Sequence, residues 1–136
     1  MADDDSTRTG EPTVAELADR QAATESKVDE LLGIVKNAIG TGGTATILAR
    51  MEGRMHDYNR LKIEALRLSF TQVQGWANQL WNLSLADRRE ITGLPPKRAD
   101  VILPGLEIYA GTMEVFGFAE LRVSTRSLRF AVVMND

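Results

Sequence analysis

Ala38-Ile-Gly-Thr-Gly-Gly-Thr-Ala-Thr46 halts helical periodicity and divides everything around it. Glycine disfavours a helix interior by about 1 kcal/mol relative to alanine, and three glycines in four residues predict a sharp turn. Upstream, Thr13-Val-Ala-Glu16 has the form of a capping box, in which each side chain satisfies an orphan amide at a helix start. From there Val14, Leu17, Gln21, Thr24, Val28, Leu31 and Val35 fall at alternating spacings of three and four. That stripe faces either a partner helix, as a self-associating coiled coil, or the rest of the domain. Gln21 and Thr24 weaken the coiled-coil reading, because polar groups cost stability in a tight seam. Residues 2–12 are acidic and polar with nothing apolar to bury, and read as a disordered leader. The expected organisation is a leader over 1–12, an amphipathic helix over 13–37 and a domain over 38–136.

Downstream, Ile47, Leu48, Met51 and Met55 resume an apolar face and predict a helix from Gly43 to Met55. Residues 56–68 show no clear period and read as loop or short strand. Ser69-Phe-Thr-Gln72 is a second capping box, and Phe70, Val73, Trp76, Ala77, Leu80 and Trp81 follow it at helical spacing, with both tryptophans read as core. Ser84-Leu-Ala-Asp87 starts a short helix that Gly93 and Pro95-Pro96 end. From Arg98 to Gly117 apolar residues occupy nearly every side, which predicts a buried helix kinked or broken at Pro104. Leu121 to Ser124 reads as a strand and Ser127 to Met134 as a closing helix. The fold class is therefore mainly α with few strands, at most about two where a self-contained sheet has four to six.

Several chemistries are excluded or disfavoured. A chain with no cysteine and His56 as its single histidine has no thiol nucleophile, disulfide, zinc-finger ligand set or histidine triad. Hydrolytic chemistry would have to rest on carboxylates, yet Glu52, Glu64 and Glu107 have no partner at a telling spacing. A net charge of −3 without a basic block argues against nucleic acid, and no apolar run reaches membrane-span length. The acidic N-terminus is unlike a signal peptide, so a cytoplasmic location is expected.

The clearest functional signal is Gly40-Thr-Gly-Gly-Thr44. Consecutive glycines let backbone amides approach an anion, and a helix start adds partial positive charge, so phosphate is the natural guest. It is not a Walker loop, since no lysine follows, and a tight strand-to-helix turn without a ligand is the alternative. Arg122, Arg126 and Arg129 cluster near the C-terminus. The last two are placed to share a helix face, either clamping phosphate or lying at solvent beside Glu114 and Glu120.

Four segments in order resemble the Ppx/GppA exopolyphosphatase and guanosine pentaphosphate phosphohydrolase family. They are Ile39-Gly-Thr-Gly-Gly-Thr-Ala-Thr-Ile-Leu-Ala49, Leu83-Ser-Leu-Ala-Asp-Arg-Arg89, Gly93-Leu-Pro-Pro-Lys-Arg-Ala-Asp-Val-Ile-Leu-Pro-Gly105 and Leu121-Arg-Val-Ser-Thr-Arg-Ser-Leu-Arg129. The likeness spans about Ile39 to Val133. It implies an incomplete RNase H-like second domain of the actin-like ATPase superfamily, preceded by a helix that is either the family's own or an unrelated segment. It also implies that Gly40, Thr41, Gly42, Gly43, Thr44, Arg126 and Arg129 bind phosphate of polyphosphate or a guanosine polyphosphate, with Mg2+ in the complete family enzyme. The family's first domain, its water-activating glutamate and its Asp-Ile-Gly-Gly-Gly-Ser type loop have no counterpart here. The chain is thus expected to be inert without a complementary chain carrying that first domain. Phe130-Ala131 also departs from the family's acidic or aromatic residue followed by glycine. A catalytically inactive interaction module that dimerises through the Val14–Val35 helix is the alternative function.

Overall fold

The computed structural model describes residues 10–34 and 36–134. The chain divides into two compact units, Met1–Ile34 and Val35–Asp136. The leader expected over residues 1–12 lies outside the described residues as far as residue 9; residues 10–12 are exposed and have no regular structure.

Among its described residues the first unit carries one helix, α1 (Val14–Ile34). Its capping box forms in both directions: Thr13 N–H donates to Glu16 Oε2 at 2.8 Å, and Glu16 N–H donates to Thr13 Oγ1 at 3.2 Å. Every residue from Val14 to Leu31 is exposed. The helix stops at Ile34, short of the expected residue 37, because the following chain already belongs to a sheet. The Lys36 carbonyl accepts the Ala119 N–H at 3.0 Å, and Asn37 opens the first strand.

The second unit runs β1 (Asn37–Thr41), α2 (Gly43–Glu52), α3 (Arg60–Ala65), β2 (Arg67–Ser69), α4 (Phe70–Trp81), α5 (Leu85–Arg89), a 3-10 turn (Pro96–Arg98), α6 (Ile102–Phe116), β3 (Glu120–Ser124) and α7 (Leu128–Val133). The strands form one mixed sheet in the order β1-β3-β2, with β1 parallel and β2 antiparallel to β3. Side chains alternate across the sheet. Leu68, Leu121, Val123 and Gly40 are buried on one face, whereas Ile39, Arg67 and Arg122 are exposed on the other. The buried face meets Leu48, Ile63, Val73, Leu80, Leu106 and Met113 in one core, and α4 packs along α6.

The structure alters several sequence expectations. The sheet has three strands, not two at most, since Asn37–Thr41 pairs with β3. Residues 56–68 contain a helix, α3, whose start is capped when the Asn59 side chain accepts the Lys62 N–H at 3.0 Å. α2 ends at Glu52, before Met55, because Gly53 and the left-handed Arg54 (φ 46°) turn the chain. Pro104 does not break the helix: α6 begins at Ile102, so the proline sits in the first turn, where its missing N–H has no intrahelical partner to lose. α6 is one-sided rather than buried all round. It buries Leu103, Leu106, Ala110 and Met113 and exposes Ile108, Val115 and Phe116. Trp81 is 66% exposed, because it lies about 100° past Leu80 on a helix whose buried stripe is Val73, Ala77 and Leu80. The helices predicted from the Ser69 and Ser84 caps form as expected.

Candidate functional site

The strand-turn-helix from β1 into α2 builds the centre of the site. Gly40 is buried so deeply that a Cβ there would meet Ala45 Cβ and the Tyr109 ring at 3.0 Å and Leu121 at 3.2 Å. Gly42 has φ +91°, a conformation that side chains rarely adopt, and it hands the chain to α2. Its carbonyl accepts the Thr46 N–H at 3.2 Å as a first helical bond. Thr41 is fixed from outside: Tyr109 Oη donates to its carbonyl at 3.0 Å, and burial pushes the Tyr109 phenol above its usual range, so the donor keeps its proton.

No described side chain caps α2. Asn59, Ser69 and Ser84 supply oxygen acceptors to α3, α4 and α5, but the N-cap of α2 is Gly42, and its first turn carries no acidic residue. The amides and the positive end of the helix dipole are left for an outside acceptor. A cavity of about 460 Å³ opens on this end of α2, and its lining joins Gly42, Gly43 and Thr46 to Tyr58, Lys97, Arg98, Thr125 and Ser127. Thr44 lines an adjoining cavity of about 190 Å³ that shares Gly43 and Arg98.

Lys97 and Arg98 come from the 3-10 turn that Pro95 and Pro96 introduce, and Thr125 and Ser127 follow β3. Glu64 fixes the latter loop. Its Oε1 accepts the Thr125 hydroxyl at 2.5 Å, the Thr125 N–H at 3.1 Å and Arg60 Nε at 3.4 Å. The Thr125 hydroxyl, then its amide, then the Arg60 charge hold the Glu64 carboxyl below the usual range against the opposing pull of burial. Glu52 serves the scaffold in a similar way, accepting Gln72 Nε2 and Trp76 Nε1, each at 2.7 Å, and so tying the end of α2 to α4.

The arginines expected at the site lie elsewhere. Arg126 precedes α7, so it and Arg129 do not share a helix face. The Arg126 guanidinium sits 5.5 Å from the Phe130 ring centroid, with Arg60 at 5.6 Å from the same ring. Arg126 lines a separate cavity of about 310 Å³ with Ile39, Glu64 and Arg122, and Arg129 is exposed on α7. The structure thus gathers Gly42 and Gly43, which the sequence marked, with Lys97, Arg98, Thr125 and Ser127, four residues that spacing had not singled out as ligands. The visible signal was the Pro95-Pro96 pair, which locks a turn just ahead of two cations.

Among the described residues, the cavity at α2 has two cations, several hydroxyls and backbone amides in its lining, and no carboxylate. That set suits phosphate oxygens and does not suit a divalent cation, which takes carboxylate and carbonyl oxygens. Among the described residues, no three His, Asp or Glu side chains gather in a way that could hold a metal ion. No described helix is long and apolar enough to cross a membrane.

The family model for the Ppx/GppA phosphatase family matches residues 5–136, so the match takes in α1 as well as the segment from Ile39 to Val133. Among curated proteins no match is found. Two crystal structures of Ppx/GppA proteins from Aquifex aeolicus are each 29% identical to this chain and cover 91% of it, with TM-scores of 0.67 and 0.68. An exopolyphosphatase from Cytophaga hutchinsonii, 19% identical with a TM-score of 0.61, shares the fold over 86% of this chain and 39% of its own. The chain spans only about two-fifths of the solved Aquifex relatives, 41% and 42% of their lengths. Its mixed three-stranded sheet and surrounding helices are accordingly part of their actin-like fold, and the chain belongs to the Ppx/GppA phosphatase family.

Proposed function

We propose that this chain forms one phosphate-binding wall of a phosphoanhydride hydrolase cleft. In this reading the amides of Gly42 and Gly43 and the uncapped start of α2 bind phosphoryl oxygens, with Thr41 and Thr44 flanking them and Gly40 allowing the close packing beneath. Lys97 and Arg98 neutralise a second phosphate of the same polyanion. The observation that carries the reading is the cavity that joins an uncapped helix start to two cations without any carboxylate in its lining.

The guest is a linear polyphosphate or a guanosine polyphosphate, since two cationic groups beside an amide cradle suit adjacent phosphates better than a lone one. Binding and orientation are the work of these residues. Among the described residues no carboxylate lines the cavity to activate water, so these residues hold the guest without cleaving it, and the family's first domain supplies the base and the Mg2+ ligands.

Calorimetric titration of the purified chain with tripolyphosphate tests this. The expected result is one site whose affinity falls about tenfold in Arg98→Gln, the loss of one charge-assisted contact, and is unchanged in Arg129→Gln. A loss in Arg129→Gln with none in Arg98→Gln would move the site to the C-terminal arginines. Steady polyphosphate hydrolysis by the purified chain would overturn the assignment of a wall that binds but does not cleave.

A further inference from the structure

α1 has an apolar stripe that no described residue of its own unit covers. Val14, Leu17, Val28 and Leu31 are all exposed, although most helical stability in proteins comes from packing such a stripe. Its spacing of three and four corresponds to a 3.5-residue repeat, which keeps a seam facing one partner helix throughout, with Val14, Gln21 and Val28 at one seam position and Leu17, Thr24 and Leu31 at the other.

The charges beside that seam select the partner. Arg20 and Lys27 flank it on one side and Glu25 on the other. In a parallel pair of identical helices, Arg20 falls opposite Glu25 of the partner subunit, five residues on, and symmetry gives that contact twice. In an antiparallel pair, flanking positions of the same kind meet, so Arg20 would face Lys27 of the partner subunit, twice over. Glu25 is already drawn to the seam, accepting Gln21 Nε2 at 3.0 Å. Thr24 turns its hydroxyl back to the Arg20 carbonyl at 2.9 Å and so brings no unpaired donor into the contact.

We propose that α1 is a parallel homodimerisation helix whose register is set by Arg20 against Glu25 of the partner subunit. The occupant of the stripe is a second copy of this chain. The inference does not rest on the phosphate reading, and either can fail while the other stands.

Sedimentation equilibrium of the whole chain, from low micromolar to sub-millimolar concentration, is the test. The expected result is a monomer-dimer equilibrium that weakens about tenfold in Arg20→Glu and recovers when Glu25→Arg is added. A control melt of the second unit should be the same in all three proteins. Because the chain has no cysteine, Val28→Cys gives a second readout: the parallel dimer closes a disulfide between the two introduced thiols. In the antiparallel arrangement Val28 faces Leu17 of the partner subunit, and the thiols would lie about 16 Å apart along the axis. A monomer at every concentration overturns the proposal. So does self-association that is unchanged or tighter in Arg20→Glu, because tightening is what contact with Lys27 of the partner subunit would produce.

Discussion

α1 and α4 start in the same way and end in opposite environments. The Thr13–Glu16 and Ser69–Gln72 capping boxes have matching geometry, 2.8 Å from N-cap amide to side-chain oxygen and 3.2 Å in return. Both helices carry apolar residues at helical spacing. Yet α4 buries Val73, Ala77 and Leu80 in the core, and α1 buries nothing from Val14 to Leu31. A cap decides where a helix begins, because it acts within four residues. Burial depends on whether a complementary surface exists, and the stripe does not say which surface that is.

The difference is sharpest in the core. Leu48 is fully buried, so Leu48→Ala is expected to cost about 2–5 kcal/mol of unfolding free energy in denaturant melts. Leu31→Ala, an equal truncation on α1, should leave the unfolding of the second unit within about 0.5 kcal/mol. A large effect of Leu31→Ala on that transition would break the comparison, by showing that α1 belongs to the same cooperative unit.

The caps come next. Ser69→Ala should destabilise the second unit by about 1 kcal/mol, because α4 is built into the core and loses an acceptor for the Gln72 amide. Thr13→Ala removes a cap of the same geometry, but its loss should appear as reduced helicity of α1 in circular dichroism with no change in the second unit's melting. Equal shifts in that melting would mean that the two helices fold together.

Those elements were legible because their signals are local. Ser69, Ser84 and the stripe of α4 predict helices that form. What escaped depends on distant contacts. β1 is poor in strand-forming residues, and becomes a strand through pairing with β3, in which Gly40 lies opposite Val123. Its small residues are explained by the packing beneath Gly40, which leaves no room for a Cβ. α3 is too short for periodicity to reveal, although Asn59 marks its start. Within the site, the glycine turn could be read directly, whereas its juxtaposition with Arg98 and Thr125 follows from three separate connections. Arg126 and Arg129 were misplaced together for a single reason: α7 starts at Leu128, so a spacing of three does not put them on one helix.

The smallest expected effect tests the same contrast through pH. Side-chain hydrogen bonds among the described residues of α1 and its cap span three or four residues, whereas Glu64 reaches Thr125 across 61 positions. The Glu64 carboxyl is held below its ordinary value of 4.5, first by the Thr125 hydroxyl, so the charged form is favoured by folding. Its contribution is fully present above pH 4.5 and disappears as pH falls through the depressed folded value. Glu64→Gln keeps an oxygen for Thr125 and lacks the charge, so it should melt slightly below the parent at pH 7. The two curves should converge under acid, where the parent carboxyl is itself neutral. Curves that stay parallel across that range would mean that shape alone holds the Thr125 loop. Convergence would place the electrostatic latch in the second unit, where folding brings distant groups together.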